Sequence, residues 1–168
     1  MNKNKKSGYP INRLQILIGT VFLLIGGLVY LTDRPPELTY FVYRYIRLLS
    51  LHDILPEIFG YFGNSLPDFI HVFSFILITG GITSCGKKGY LLISLSWLLI
   101  DCTFELGQKY SSLALKIIPD WFTGIPLLEA IEGYFRKGTF DYYDIIAVFL
   151  GAIAAYIVLL KTGKEKNL

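Results

Sequence analysis

Residues 14–31 read LQILIGTVFLLIGGLVYL, eighteen consecutive positions without a charged side chain. A helix needs about 20 mainly apolar residues to cross a bilayer, since each residue adds about 1.5 Å. The stretch therefore predicts a membrane-spanning helix over residues 14–32. Lysines precede it, as in a signal peptide, but the residues that follow, TDRPP at 32–36, contain no small-x-small cleavage motif. We therefore expect the mature protein to retain this helix.

Three further apolar runs follow, and two of them approach the length of a span only when polar residues at one end are included. The expected spans are about 66–85, 89–108 and 141–161. Only 17% of the residues are charged, against about 25% in soluble domains. We predict an all-α integral membrane protein with one four-helix membrane domain, residues 13–161. A globular bundle of buried helices is the alternative, and the length and uniformity of the first run disfavour it.

The distribution of charge predicts an orientation. Nine basic residues and one acid, Glu165, lie in the tails at 1–12 and 162–168, at the start of the first span, at the end of the last span and in the loop after the second span. The other side also carries seven basic residues, but they are mixed with most of the acids. The positive-inside rule therefore places both termini in the cytoplasm of a bacterium, with the protein in the inner membrane. The net charge of +3 then reflects a basic inner surface that meets anionic lipid. No recognition motif points to nucleic acid.

Two connecting segments are predicted to lie at the outer membrane surface. In residues 39–62, aromatic and aliphatic residues recur at helical spacing, and Arg44 and Arg47 share another face suited to lipid phosphates. This spacing predicts one short helix that carries the two arginines. A second short helix is expected after it, with Asp53 as its N-cap.

The second connecting segment, residues 111–136, is too apolar for a free loop. We expect it to form short helices that cover the outer end of the bundle. One of these helices would begin at Pro126, because proline suits the first turn of a helix, and would run to about Phe135.

Polar side chains gather at one end of the last three predicted spans. They are Asp68 and His71; Asp101, Glu105 and Gln108; and Asp141 and Asp144. Residues three and four apart share a helix face, and ionisable groups at membrane depth are often functional. We therefore predict one polar binding pocket at the outer end, with Arg136 as its nearest basic partner.

The predicted pocket suits three roles. It could bind a divalent cation, share protons among the acids, or orient Arg136 and His71 toward a lipid phosphate. The structural alternative is that the acids only cap helix ends. Capping explains Asp68 and Asp141 at helix starts and extends to Asp144 in the first turn, but it does not explain Asp101 and Glu105, which oppose the helix dipole.

Metal and redox chemistry find little support in the composition. The chain has two histidines, one of them in an outer loop, and two cysteines, Cys85 and Cys102, expected near opposite ends of the bundle and unpaired. We expect no transition-metal site and no cofactor, and keep a divalent cation as the one open alternative.

The polar residues resemble the motifs of the VanZ-like family of small bacterial membrane proteins. That family has Asp-x-x-His, Glu-x-x-Gln, and an Arg followed by Asp-x-x-x-Asn-x-x-Gly, which here match Asp68 to His71, Glu105 to Gln108, and Arg136 followed by Asp144 to Gly151. Two departures exist: Val148 stands at the Asn position, and residues 109–135 form an insertion. A second alignment puts Glu129 and Glu132 in the Glu-x-x-Gln role. The resemblance implies a role in the cell envelope, since the founding member is associated with teicoplanin resistance, and it implies no established biochemical activity.

Three functions are open at this stage. The favoured one is binding of a lipid or lipid-linked headgroup in the polar pocket. The second is an accessory subunit of a larger membrane complex, contacting a protein partner through the outer aromatic segments. The third, less favoured, is an enzyme acting on a lipid-linked substrate, with His71, Glu105 and Asp144 as catalytic groups.

Overall fold

A computed structural model describes residues 11–35, 50–122, 124–125 and 128–163. All regular secondary structure in these ranges is helical. The α-helices are α1 (Arg13–Thr32), α2 (Leu66–Thr83), α3 (Lys87–Lys109), α4 (Ser111–Ile117), α5 (Leu128–Lys137) and α6 (Tyr142–Thr162), with 3-10 turns at Gly60–Gly63 and Asp120–Phe122.

Four helices, α1, α2, α3 and α6, are long and apolar enough to cross a membrane. Their surfaces agree with that role, because only 22% of the apolar window of α1 and of α3 is buried inside the protein. Large apolar side chains such as Leu24 and Leu92 point outward, with 71% and 66% of their surface exposed. Water would not favour such continuous apolar surface, whereas hydrocarbon would.

Helix α2 lies at the centre of the bundle and packs against α1, α6 and α3, and α3 also packs against α6. The core between α2 and α6 includes Ile76 and Leu159, both fully buried. These two helices approach closely at Gly151, where an added Cβ would lie 2.6 Å from the backbone oxygen of Phe69. Only glycine allows that spacing.

The bundle has two distinct ends. At the acidic end, defined by Thr32, Leu66, Lys109 and Tyr142, α1 and α3 finish while α2 and α6 begin. At the opposite end, which we call the clamped end, the buried Gln15 of α1 donates to the hydroxyl of Thr162 at 2.9 Å. Asn12 caps α1 there and donates to the carbonyl of Thr162.

The observed limits of the four long helices lie within two residues of the predicted spans, 14–32, 66–85, 89–108 and 141–161. Helix α2 stops two residues early because Ser84 adopts a left-handed conformation, φ 46°, at its C-cap. Agreement at this level follows from length and hydrophobicity alone.

The prediction of a short helix after Asp53 is wrong. Residues 51–59 form turns and bends, and the first helical turn is the 3-10 segment Gly60–Gly63. The carboxylate of Asp33 accepts hydrogen bonds from the backbone N–H groups of Ile58, Phe59 and Gly60 at 2.7–3.1 Å. These bonds give the segment an alternative to helical pairing.

The predicted interfacial lipid contacts, Arg44 and Arg47, lie outside the described residues. The short helices expected in 111–136 are present as α4 and α5. Helix α5 packs on α3, where a Cβ added to Gly107 would overlap the ring of Phe135. Pro126, the expected first residue of this helix, also lies outside the described residues.

Candidate functional site

Four acids from three helices meet at the acidic end: Asp68 of α2, Asp101 and Glu105 of α3, and Asp144 of α6. We call them the carboxylate cluster. The charge of Asp68 interacts with those of Asp144, Glu105 and Asp101, and its side chain is within hydrogen-bonding reach of Asp144. Helical spacing predicted that these residues would converge, and in the structure they lie at one site.

His71 adds a second titratable group beside the cluster. Its Nδ1 lies 3.2 Å from Oδ1 of Asp101. The histidine side chain is 50% exposed, whereas that of Asp101 is 9% exposed. The ring also packs against Phe75, at 4.5 Å between centroids, and faces Trp97 at 6.4 Å. His71 therefore covers one face of a buried acid from the bundle surface.

Glu105 is held from two directions. Its Oε1 accepts from the hydroxyl of Tyr134 at 2.8 Å and from the side-chain amide of Gln108 at 3.3 Å. Gln108 lies on the same helix, whereas Tyr134 comes from α5 and ties that helix to α3. Burial, and then the charge of Glu105, raise the pKa of Tyr134 above its ordinary value of 10.0, so its hydroxyl remains a donor into the alkaline range.

Each of the two buried acids of α3 keeps one oxygen without a partner. Asp101 is 7% exposed and Glu105 is 4% exposed. Within the described part of the chain, neither Oδ2 of Asp101 nor Oε2 of Glu105 has a hydrogen bond. Leaving a buried acceptor unpaired costs about 1–3 kcal/mol, and more when it is charged. Such a cost is commonly a sign that a ligand, ion or water completes the site.

The basic group beside the cluster is Arg34, and the prediction that Arg136 would take this place is wrong. The charge of Arg34 acts on Asp68, Glu105 and Asp144. Its guanidinium lies 5.1 Å above the ring of Tyr30 and donates to the carbonyl of Asn64.

Arg136 instead pairs with Glu132, four residues earlier on α5, and its side chain is 63% exposed. The two are adjacent on a solvent-facing helix surface. Glu132, which the second alignment put in the Glu-x-x-Gln role, is therefore engaged outside the cluster.

Asp141 plays the capping role that the structural alternative assigned to it. It is exposed, and its side chain accepts from the backbone N–H of Tyr143 at 3.0 Å as the N-cap of α6. Among the predicted residues, the structure thus brings together Asp68, His71, Asp101, Glu105, Gln108 and Asp144.

Two residues of this site were not predicted from the sequence, Arg34 and Tyr134. Arg34 directly follows the C-cap of α1, so a basic residue just past the end of an apolar span was the available signal. Tyr134 lies 29 positions from Glu105, and its place depends on how α5 folds back. No local pattern contains that information.

The described residues contain no group of three or more His, Cys, Asp or Glu side chains arranged to hold a metal ion. Two surface clefts lie away from the cluster: one of about 160 Å³ is lined by residues of α4 and α5 and the segment between them, and the other by residues of α1. The two unpaired oxygens of the cluster are themselves buried from solvent.

The chain was compared with protein-family models, characterised proteins and solved structures, and none of them matches it.

Proposed function

We propose that this chain is a multi-pass protein of the bacterial inner membrane that binds a lipid or lipid-linked headgroup in the carboxylate cluster. The observation that carries the proposal is the pair of buried, unpartnered oxygens on Asp101 and Glu105. A buried carboxylate oxygen without a partner costs more than a neutral oxygen such as Oε1 of Gln15, so packing between helices alone does not account for two of them on one helix. The resemblance to the VanZ-like family supports the same reading, because its matched positions Asp68, His71 and Glu105 belong to this site.

The proposed orientation puts the clamped end in the cytoplasm and the acidic end at the outer surface. Support comes from the basic residues near the clamped end, among them Arg13, Lys88 and Lys161. In a background with both native cysteines replaced by serine, Gly86→Cys at the clamped end and Tyr61→Cys at the acidic end report the orientation. Both positions are exposed. An impermeant maleimide should label Tyr61→Cys in intact spheroplasts and Gly86→Cys only after lysis, and the reverse pattern overturns the orientation.

Lipid retention tests the binding function directly. The full chain is extracted in mild detergent and examined by native mass spectrometry, beside Glu105→Gln and His71→Ala. We expect the wild-type protein to carry lipid and both variants to lose it, because Glu105→Gln removes the charge of a buried acid and His71→Ala removes the ring that fixes Asp101. Glu57→Gln, at an exposed position, is the matched control and should keep the lipid. Equal retention in all four proteins, each shown to be folded by circular dichroism, contradicts the proposal.

A second candidate, an accessory subunit, is favoured by apolar exposure at the acidic end. Tyr61 and Phe62 are 74% and 78% exposed, and Trp121 is 63% exposed. A protein partner would cover such rings as well as lipid headgroups would. Variants Phe62→Ser and Trp121→Ser should then lose a co-purifying protein while lipid retention stays unchanged.

The same native mass spectra also test whether the protein is an enzyme. His71 beside Asp101 has the geometry of a general base held by an acid. A lipid-linked substrate that changes mass on the wild-type protein, and not on His71→Ala, would assign the cluster to catalysis.

A further inference from the structure

Resting on the proposed function, we propose that the ligand group seated in the carboxylate cluster is a primary ammonium, presented by a lipid headgroup such as ethanolamine. The seat consists of Oδ2 of Asp101 and Oε2 of Glu105, one helical turn apart on α3.

In an ionised carboxylate both unpaired atoms are acceptors, so the group that completes them donates. The opposite oxygen of each carboxylate is already used: Oδ1 of Asp101 faces His71 at 3.2 Å, and Oε1 of Glu105 accepts from Tyr134 at 2.8 Å. The side chains are thereby fixed with their second oxygens left over. A primary ammonium has three donors and no acceptor, which suits two such oxygens.

The charge around the seat favours the same group. Four carboxylates converge there, and Arg34 is the arginine whose charge acts on Asp68, Glu105 and Asp144. An anion alone would be repelled, whereas a cation lowers the mutual repulsion of the acids. Arg34 retains donors beyond the one given to Asn64. A zwitterionic headgroup could therefore set its ammonium between the acids and its phosphate toward Arg34.

Access to the seat restricts the ligand to a small group. The two oxygens have almost no contact with solvent, and His71, half exposed, covers Asp101 from the surface of the bundle. Such an enclosed seat favours a small donor group over a bulky one such as a sugar. An ammonium on a flexible two-carbon stem meets that limit.

The test compares three lipids with identical acyl chains, presented in equal amounts to the delipidated full-length protein and measured by native mass spectrometry. Phosphatidylethanolamine carries three N–H donors, phosphatidylcholine has the same charge with none, and phosphatidylglycerol has no cation. We expect phosphatidylethanolamine to be retained about tenfold more than phosphatidylcholine, the ratio that loss of one charge-assisted hydrogen bond produces. Asp101→Asn and Glu105→Gln should each reduce this preference, and Asp120→Asn, at an exposed position, should leave it unchanged.

The outcomes separate the two proposals. Equal retention of the three lipids overturns the ammonium and leaves lipid binding standing. Retention of none overturns both. Displacement of phosphatidylethanolamine by an equal concentration of free phosphoethanolamine overturns the lipid as the source of the ammonium. Should Glu105→Gln fail to fold, Asp101→Asn decides alone, and an unchanged preference in that variant overturns the seat.

Discussion

The hydroxyl of Tyr134 lies 2.8 Å from Oε1 of Glu105 and donates a hydrogen bond to it, joining α5 to α3. The bond links a surface helix to the buried acids of the long helices. Its acceptor is 4% exposed, and a hydrogen bond to a charged group contributes about 1.5–3 kcal/mol. The position of α5 over the acidic end is therefore coupled to the carboxylate cluster.

Replacement of Tyr134 by phenylalanine removes this bond while keeping the ring. We expect the free energy of unfolding in detergent to fall by about 1–3 kcal/mol, since Glu105 loses a donor in a buried setting. Tyr61→Phe is the control, because the hydroxyl-bearing residue there is 74% exposed and its loss should change little. Chemical denaturation of both variants measures the difference, and equal stability would show that the hydroxyl does not hold α5.

Alkaline pH should weaken the fold through the same tyrosine. Burial and the charge of Glu105 raise the pKa of Tyr134 above its ordinary value of 10.0. The folded state then binds the proton more tightly than the unfolded state does, so the contribution to stability is complete below pH 10 and declines as pH rises further. The free energy of unfolding, measured from pH 10 upward, should fall less in Tyr134→Phe than in the wild-type protein. Parallel declines would contradict the assignment.

Asp33 should stabilise the acidic end at neutral pH and lose this effect in acid. Burial acts to raise the pKa of Asp33, but hydrogen bonds from Thr32, Phe59, Ile58 and Gly60 outweigh it, and the pKa lies below its ordinary value of 3.8. A lowered pKa means stability that is present above pH 3.8 and lost as pH falls through the folded-state value.

Asp33→Asn should accordingly lose about 1 kcal/mol at neutral pH, a modest amount because the carboxylate is partly exposed. It should also show a shallower loss of stability in acid. Asp53→Asn, at an exposed position in the same segment, is the control for removal of a charge alone. Thermal unfolding at several pH values distinguishes them, and identical acid profiles in the two variants would count against the role of Asp33.

The contact of α2 with α6 at Gly151 predicts opposite results for two glycine substitutions. A Cβ at Gly151 would meet Val72 and the backbone oxygen of Phe69, so Gly151→Ala should cost about 1–3 kcal/mol. Gly27 lies in α1 with nothing within 4 Å of an added Cβ. Gly27→Ala should therefore gain about 0.5–1 kcal/mol from reduced backbone freedom. The thermal unfolding temperature should fall in Gly151→Ala and rise in Gly27→Ala. A shift in the same direction for both would refute the packing argument.

The sequence predicted well those features that depend on local composition. The limits of the four long helices followed from apolar length, and the convergence of Asp68, Glu105 and Asp144 followed from helical spacing combined with the alternation of spans. Each requires only short-range pattern and the rule that consecutive spans run in opposite directions.

Features that depend on distant partners could not be predicted in this way. The segment around Phe59 is shaped by Asp33, 26 positions earlier, and its own apolar spacing wrongly suggested a helix. Arg136 was chosen as basic partner because of its place in sequence, but its own helix offered Glu132 one turn away. Arg34 reached the acids because α1 ends beside α2, which is a property of packing.

The hydrogen bond from Asn12 to Thr162, at 2.9 Å across 150 positions of the chain, brings the two ends of the bundle sequence side by side. Halves of a split fluorescent protein, fused ahead of residue 11 and after residue 163, would be held together by the bundle itself. Their complementation within single molecules would then report, in living cells, the fraction of chains in which the first and last long helices have found each other.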